Sequence, residues 1–330
     1  MKRIKQTLVT IVSWTLLAGC SSEQTPSAGS SDTQQSQSVS SKTIGVSVLT
    51  MTNPFFQVIA DSITEEAAKH GYDVVVQSGE FDVTRQQNQI SDYIVSKVNA
   101  IVLCPCDARA IGPAIQEANA AGVPVFTADL ACLAEDAVVV SHIASDNYGG
   151  GKQAGEAMIE ALGGNGGKVA ILDFKPAESC ILRVKGFKEV VTQYNETHEE
   201  GTIEVVTELD GGGAKDKGYR AAEDALQSFP DLAGIFAIND PSALGARAAL
   251  EKAGKEEQVV IVAFDGQPEG KQAIKEGKIY ADPVQHPDQI GVRTVQAIVR
   301  YFAGEEVAKE DLIPTSLYRQ SDAMSDPELN

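Results

Sequence analysis

From Thr43 onward the chain alternates between two hydrophobic patterns. Short continuous apolar runs rich in β-branched residues occupy 43–50 (TIGVSVLT), 73–78 (DVVVQS), 100–104 (AIVLC) and 123–128 (VPVFTA). Between them lie 53–71, 83–97 and 111–122, where apolar residues recur at helical spacing and the first and last segments stop at Gly71 and Gly122. Continuous apolar runs of this length fit strands buried on both faces of a parallel sheet, and their alternation with helices predicts right-handed βαβ units.

The rhythm restarts after Asn147. Helices are predicted over 150–164, 181–194, 217–229 and 242–254, and strands over 168–174, 202–209, 232–238 and 259–265. A last helical segment, 288–304, is predicted to pack back on the first half. The fold class read from this pattern is α/β, with two doubly wound parallel-sheet lobes. In such sheets ligands sit beyond the carboxyl ends of the strands. The polar residues just after the apolar runs are therefore candidates: Thr52, Asn53, Cys104, Cys106, Asp129, Asn239, Asp240, Asp265 and Gln285.

The N-terminus obeys different rules. Lys2, Arg3 and Lys5 precede an apolar stretch from Leu8 to Leu17, shorter than the roughly 20 residues that span a bilayer. This reads as a secretory signal over residues 1–19. Its end, Leu17-Ala18-Gly19-Cys20, resembles the bacterial lipobox, which implies lipidation of Cys20. Residues 21–42 contain nine Ser and, Val39 apart, no large apolar side chain, so they cannot bury enough surface to order themselves. Residues 20–42 are expected to form a lipidated tether. The protein is then extracytoplasmic and touches the membrane only through its lipid.

Composition narrows the function. With 27 Lys and Arg against 46 Asp and Glu, the net charge is -19, and loss of the three basic signal residues takes it to -22. Nucleic acid is an unsuitable partner for such a surface. No G-x-S-x-G elbow and no G-x-x-x-x-G-K-[ST] loop occurs, which argues against an enzyme, and no cofactor or metal is expected. Gly149-Gly150-Gly151-Lys152 opens a helix rather than closing a strand–phosphate loop.

Five segments then carry a family resemblance. They are Asn53-Pro54-Phe55-Phe56, Ser141–Asn147, Asn239-Asp240 with Ala243–Ala246, Phe264-Asp265-Gly266, and Gln285 with Pro287–Gly291. Over roughly 43–313 the chain resembles bacterial periplasmic sugar-binding proteins of the ribose-binding type, the type I substrate-binding components of ABC importers. The resemblance implies two lobes joined by a three-strand hinge, one comprising 43–145 plus 286–313 and the other 146–285 plus 314–330. It also implies a monomer that closes on a small neutral sugar or polyol and is read by the permease transmembrane subunits of the importer. Phe55 and Phe56 would stack on the sugar. Asn53 and Asp129 would bind hydroxyls from the first lobe, Asn239 and Asp265 from the second, and Gln285 near the hinge. On their residue types alone, Phe55 and Phe56 fit a core equally well, Asp265 a turn and Asn239 a helix cap.

Leu130, Ile181 and Gly213 stand where the ribose pattern has two arginines and an aromatic, so ribose itself is not the expected guest. Lys175, Glu178 and Arg183 are the nearby charges available to compensate. The cysteines Cys104, Cys106, Cys132 and Cys180 are an even number in an oxidising compartment. A disulfide from Cys132 to Cys104 or Cys106 is expected, against free buried thiols or a metal site. The rival functions are a ligand-sensing receptor for a chemotaxis or kinase partner, and a sugar-responsive repressor. The second would need a DNA-binding helix pair where the signal stands.

Overall fold

The computed structural model describes residues 42–329. The segments holding the signal, Cys20 and almost all of the tether lie outside the described residues. No described helix is long and apolar enough to cross a membrane.

The first lobe runs β1 (Lys42–Val48), α1 (Pro54–Lys69), β2 (Tyr72–Ser78), α2 (Val83–Val95), β3 (Ala100–Leu103), α3 (Gly112–Ala120), β4 (Val125–Ala128) and β5 (His142–Ser145). The second runs α4 (Asn147–Leu162), β6 (Gly167–Asp173), α5 (Glu178–Thr197), β7 (Ile203–Asp210), α6 (Lys215–Ser228), β8 (Leu232–Ala237), α7 (Asp240–Ala253), β9 (Val260–Val262), α8 (Pro268–Lys275) and β10 (Ala281–Val284). The chain then returns through α9 (Pro287–Phe302) and β11 (Glu310–Ile313) and crosses again into β12 (Ser316–Arg319) and α10 (Gln320–Ser325).

Both sheets have the doubly wound order. The first is β11-β5-β4-β3-β1-β2 and all of its pairings are parallel. The second is β12-β10-β9-β8-β6-β7, with only β12 antiparallel. The chain passes between the sheets three times, after β5, β10 and β11. The apolar runs are dry as their pattern requires: Ile44, Val46, Ile101, Val102, Ile171 and Phe236 are fully buried. Helix α9 packs on α1, β4 and β5.

Six elements escaped the hydrophobic pattern. Strand β10 is only Ala-Asp-Pro-Val, β5, β11 and β12 also have four residues each, α8 has eight and α10 six. Segments this short carry too few periods to register, and Pro283 argues against a strand.

The triple glycine has a packing role. A Cβ at Gly151 would stand 2.2 Å from the carbonyl O of Arg183, and one at Gly186 would stand 2.3 Å from that of Tyr148. Helices α4 and α5 therefore touch backbone to backbone. That contact brings Arg183 on α5 against Asn147 at the start of α4.

Candidate functional site

The carboxyl ends of both sheets face one another around a cavity. It is lined by Asn53, Phe55, Phe56, Asp129 and Leu130 from the first lobe. Arg183, Gly213, Asn239 and Asp265 line it from the second, and Gln285 from the β10–α9 crossing. Leu49, Phe81, Phe174, Ala177, Ser179, Cys180 and Ile238 complete the wall. All seven binding candidates chosen from the sequence are thus brought together.

The lobes meet over this cavity. The Ala108 N–H, after β3, donates to the Pro176 carbonyl, after β6, at 3.1 Å. Phe81 and Phe174 meet edge to face across the mouth with ring centres 6.1 Å apart. Phe55 and Phe56 also pack edge to face, 5.4 Å apart. They are buried and belong to the core as well as to the cavity wall, so the two readings of these rings coexist.

The two asparagines likewise do double duty. Asn53 Oδ1 accepts from the Phe55 N–H at 3.0 Å and caps α1. Asn239 Oδ1 accepts from the Ser242 N–H at 3.0 Å and caps α7, while its Nδ2 donates to the Gly213 carbonyl at 3.2 Å. Capping fixes each side chain, so each amide nitrogen is presented from a rigid helix start.

Asp265 is the centre of a buried network. Its Oδ1 accepts from Gln285 Nε2 at 2.6 Å and from Arg183 at 3.1 Å, and its Oδ2 accepts from Gln267 Nε2 at 3.1 Å. Arg183 also donates to Asn147 Oδ1 at 2.8 Å and to the Ile238 carbonyl at 2.7 Å, and it lies 3.9 Å over the Phe264 ring. Both partners of this ion pair are buried, so neither charge is tolerable without the other. Burial raises the Asp265 carboxyl, and Arg183, Gln267 and Gln285 oppose the rise.

Asp129 has no such support. Burial pushes its carboxyl up to about 7, the Asp265 charge adds to the rise, and Arg183 opposes it. Its Oδ1 and the Oε1 of Gln285 are buried without a hydrogen-bond partner. Asp129 and Asp265 also hold φ values of 63° and 118°, a region side chains rarely occupy. Two strained carboxylates on one cavity, with acceptors left open beside them, mark a place built for something that donates hydrogen bonds.

Arg183 is the charge whose direction the sequence leaves undecided. The spacing puts Ile181 opposite the second arginine of the ribose pattern, but Ile181 is 43% exposed and Arg183 enters the cavity. Two residues further along a helix is about half a turn, so only the contact between α4 and α5 decides which side chain faces in. Lys175 is exposed, and Glu178 lines a different hollow beside His142 and Lys309. Thr52 and Asp240 line a neighbouring groove.

The expected disulfide does not form. Cys104, Cys106, Cys132 and Cys180 are all free thiols. Cys104 and Cys106 sit in the core beneath β1, with Cys106 Sγ against the Leu49 carbonyl at 3.8 Å. Cys132 packs instead against the cluster between α2, α3 and β3. Cys180 lines the cavity, and burial lifts its thiol to about 12. Such thiols serve as small apolar groups.

Comparison with known proteins agrees with this geometry. The periplasmic binding protein domain matches residues 44–306. A ribose import binding protein of Bacillus subtilis is 34% identical, covering 97% of this chain and all of its own. A D-apiose import binding protein of Paraburkholderia graminis is 32% identical over 82% of this chain and 85% of its own. An ABC transporter solute-binding protein of Bacillus halodurans, solved with bound myo-inositol, superposes with a TM-score of 0.77 at 28% identity, covering 86% of this chain and 96% of its own. With its two doubly wound lobes, three crossings and a cavity between the strand ends of the two sheets, the chain belongs to the periplasmic binding protein family, on the branch of the ribose-type sugar binders.

Proposed function

We propose that this chain is the substrate-binding component of an ABC importer, and that it closes on a neutral monosaccharide or related polyol without transforming it. The observation that carries the reading is the pair of open acceptors, Asp129 Oδ1 and Gln285 Oε1, on residues lining an otherwise well-satisfied cavity. A buried acceptor without a donor costs about 1–3 kcal/mol, and a polyol supplies donors in the number required. The amides of Asn53 and Asn239 and the Arg183 guanidinium supply the complementary donors. Phe55 and Phe56 offer ring surface to the CH groups that a sugar also carries.

Because the guest touches both lobes, it stabilises the closed form, and a permease distinguishes loaded from empty by that closure. The folded part is held outside the cytoplasmic membrane as a monomer, through the lipid on Cys20. Radiolabelled fatty-acid incorporation that vanishes in Cys20→Ala tests the anchor.

The function is tested by a thermal-shift screen of residues 42–330 against D-ribose, D-allose, D-fucose, L-arabinose, myo-inositol and glycerol. At least one compound raises Tm, and Asp265→Ala abolishes the rise. Full-strength binding by that variant removes Asp265 from the site, and no shift with any sugar or polyol defeats the assignment.

A further inference from the structure

A second hollow adjoins the inner cavity. Asn53, Phe81 and Gly213 line both. The outer hollow is also lined by Pro54, Pro241, Leu244, Pro268, Lys215, Gln267 and Glu269. Its lining combines mostly apolar surface with a few hydrogen-bonding groups, the mixture that a second ring requires.

Gly213 is the junction. Its φ of 62° favours glycine. A Cβ there would meet only the Asn239 amide nitrogen within 4 Å, at 3.4 Å. The space in front of Gly213 is therefore open, whereas most of the buried glycines of the fold have a neighbour pressed against the missing side chain. A larger residue at this point would separate the two hollows. Phe81 stands opposite, 40% exposed, on a loop where it and Glu80 both hold positive φ.

We propose that this chain takes substituted sugars: a glycoside or a disaccharide whose first ring fills the inner cavity and whose second group passes Gly213 into the outer hollow. The inference rests on the sugar-binding reading and names its substrate class. The substituent leaves from the part of the first ring nearest Gly213 and lies over Leu244 and Pro241. A free monosaccharide satisfies the inner groups and leaves the outer surface wet.

The test uses residues 42–330 and titration calorimetry with matched probes: D-ribose, D-allose and D-galactose, each as the free sugar and as its methyl and 4-nitrophenyl glycosides in both anomers. At least one 4-nitrophenyl glycoside is expected to bind tenfold or more tightly than its parent sugar. Leu244→Trp, which fills the outer hollow from a half-buried position, is expected to remove that gain and leave the parent sugar within threefold of wild type. Glu269→Trp, at an exposed position, gives a second obstruction if the first variant fails to fold.

Free sugars that bind while every glycoside is a hundredfold weaker would overturn the inference and leave the sugar-binding reading intact. A glycoside gain that survives both obstructions would also overturn it, by placing the substituent elsewhere. Failure of all free sugars and all glycosides to bind would defeat both readings.

Discussion

Asp129 makes the affinity of this protein depend on pH, and its surroundings set the size of the effect. Its carboxyl is buried, faces Arg183 and Asp265, and titrates near 7 in the empty cavity. A guest that donates a hydroxyl to Oδ1 favours the ionised form, so binding lowers this value and releases a proton at neutral pH. The empty site is about half ionised at pH 7 and about one part in a hundred ionised at pH 5. Affinity therefore falls about 50-fold between those values, or about 2.3 kcal/mol at 1.36 kcal/mol per tenfold. Between pH 8 and 9 it is nearly flat. Calorimetric titration of the best sugar from the screen, in two buffers with different ionisation enthalpies, reads both affinity and protons released. Asp129→Asn should bind at pH 7.5 about as weakly as the wild type does at pH 5, with no proton release and no slope. An affinity that is level from pH 8 to pH 5, or that rises as the pH falls, would refute the argument.

Three other contacts give further expected outcomes. Phe81→Ala removes the ring contact with Phe174 that spans the cleft. Since such pairs are worth about 0.5–1.5 kcal/mol, sugar affinity should drop by about two- to tenfold, mainly through faster release; an unchanged off-rate excludes the contact as a closing element. A thiol assay on residues 42–330 in denaturant should give four reactive groups with or without prior reduction, because all four cysteines are free; two or fewer without reductant would show a bridge. Asp240 and Asp282 are buried side by side beneath the loop after Asp265. They bind the Gln267 and Gly266 N–H groups at 2.7 and 3.0 Å, and burial holds the Asp282 carboxyl up near 7. The folded chain thus holds more protons than the unfolded one between about pH 4 and pH 7, and stability falls as pH rises through that window. Asp282→Asn should make the difference in Tm between pH 5.5 and pH 8 smaller by several degrees, and an equal difference in the variant excludes the pair as its source.

The chain discloses its fold and its site unevenly, for physical reasons. The strand–helix rhythm is legible because parallel strands buried on both faces cannot hide their apolar runs. The candidate residues are legible because the fold gathers the positions just past each run into one crevice. Asn53, Asp129, Asn239, Asp265 and Gln285 are reachable by that rule, and all of them line the cavity. Arg183 is not, because it enters from within α5 and its direction is set by backbone contact between α4 and α5. Phe81 and Phe174 lie just past strand ends, so the same rule reaches their neighbourhood, but nothing local says that the two rings meet. The cysteines mislead because evenness in an oxidising compartment says nothing about distance. Cys132 packs outside the core that holds Cys104 and Cys106.

The central claim is that the two lobes enclose a polyhydroxylated guest whose hydroxyls complete the open acceptors at the strand ends. A crystal structure of residues 42–330 grown with the strongest compound from the screen tests it most directly. The account predicts one molecule between Phe55, Phe56 and Leu130, with a hydroxyl within about 3 Å of Asp129 Oδ1 and another near Gln285 Oε1. A cavity holding only water, or the compound seated away from both acceptors, would contradict it.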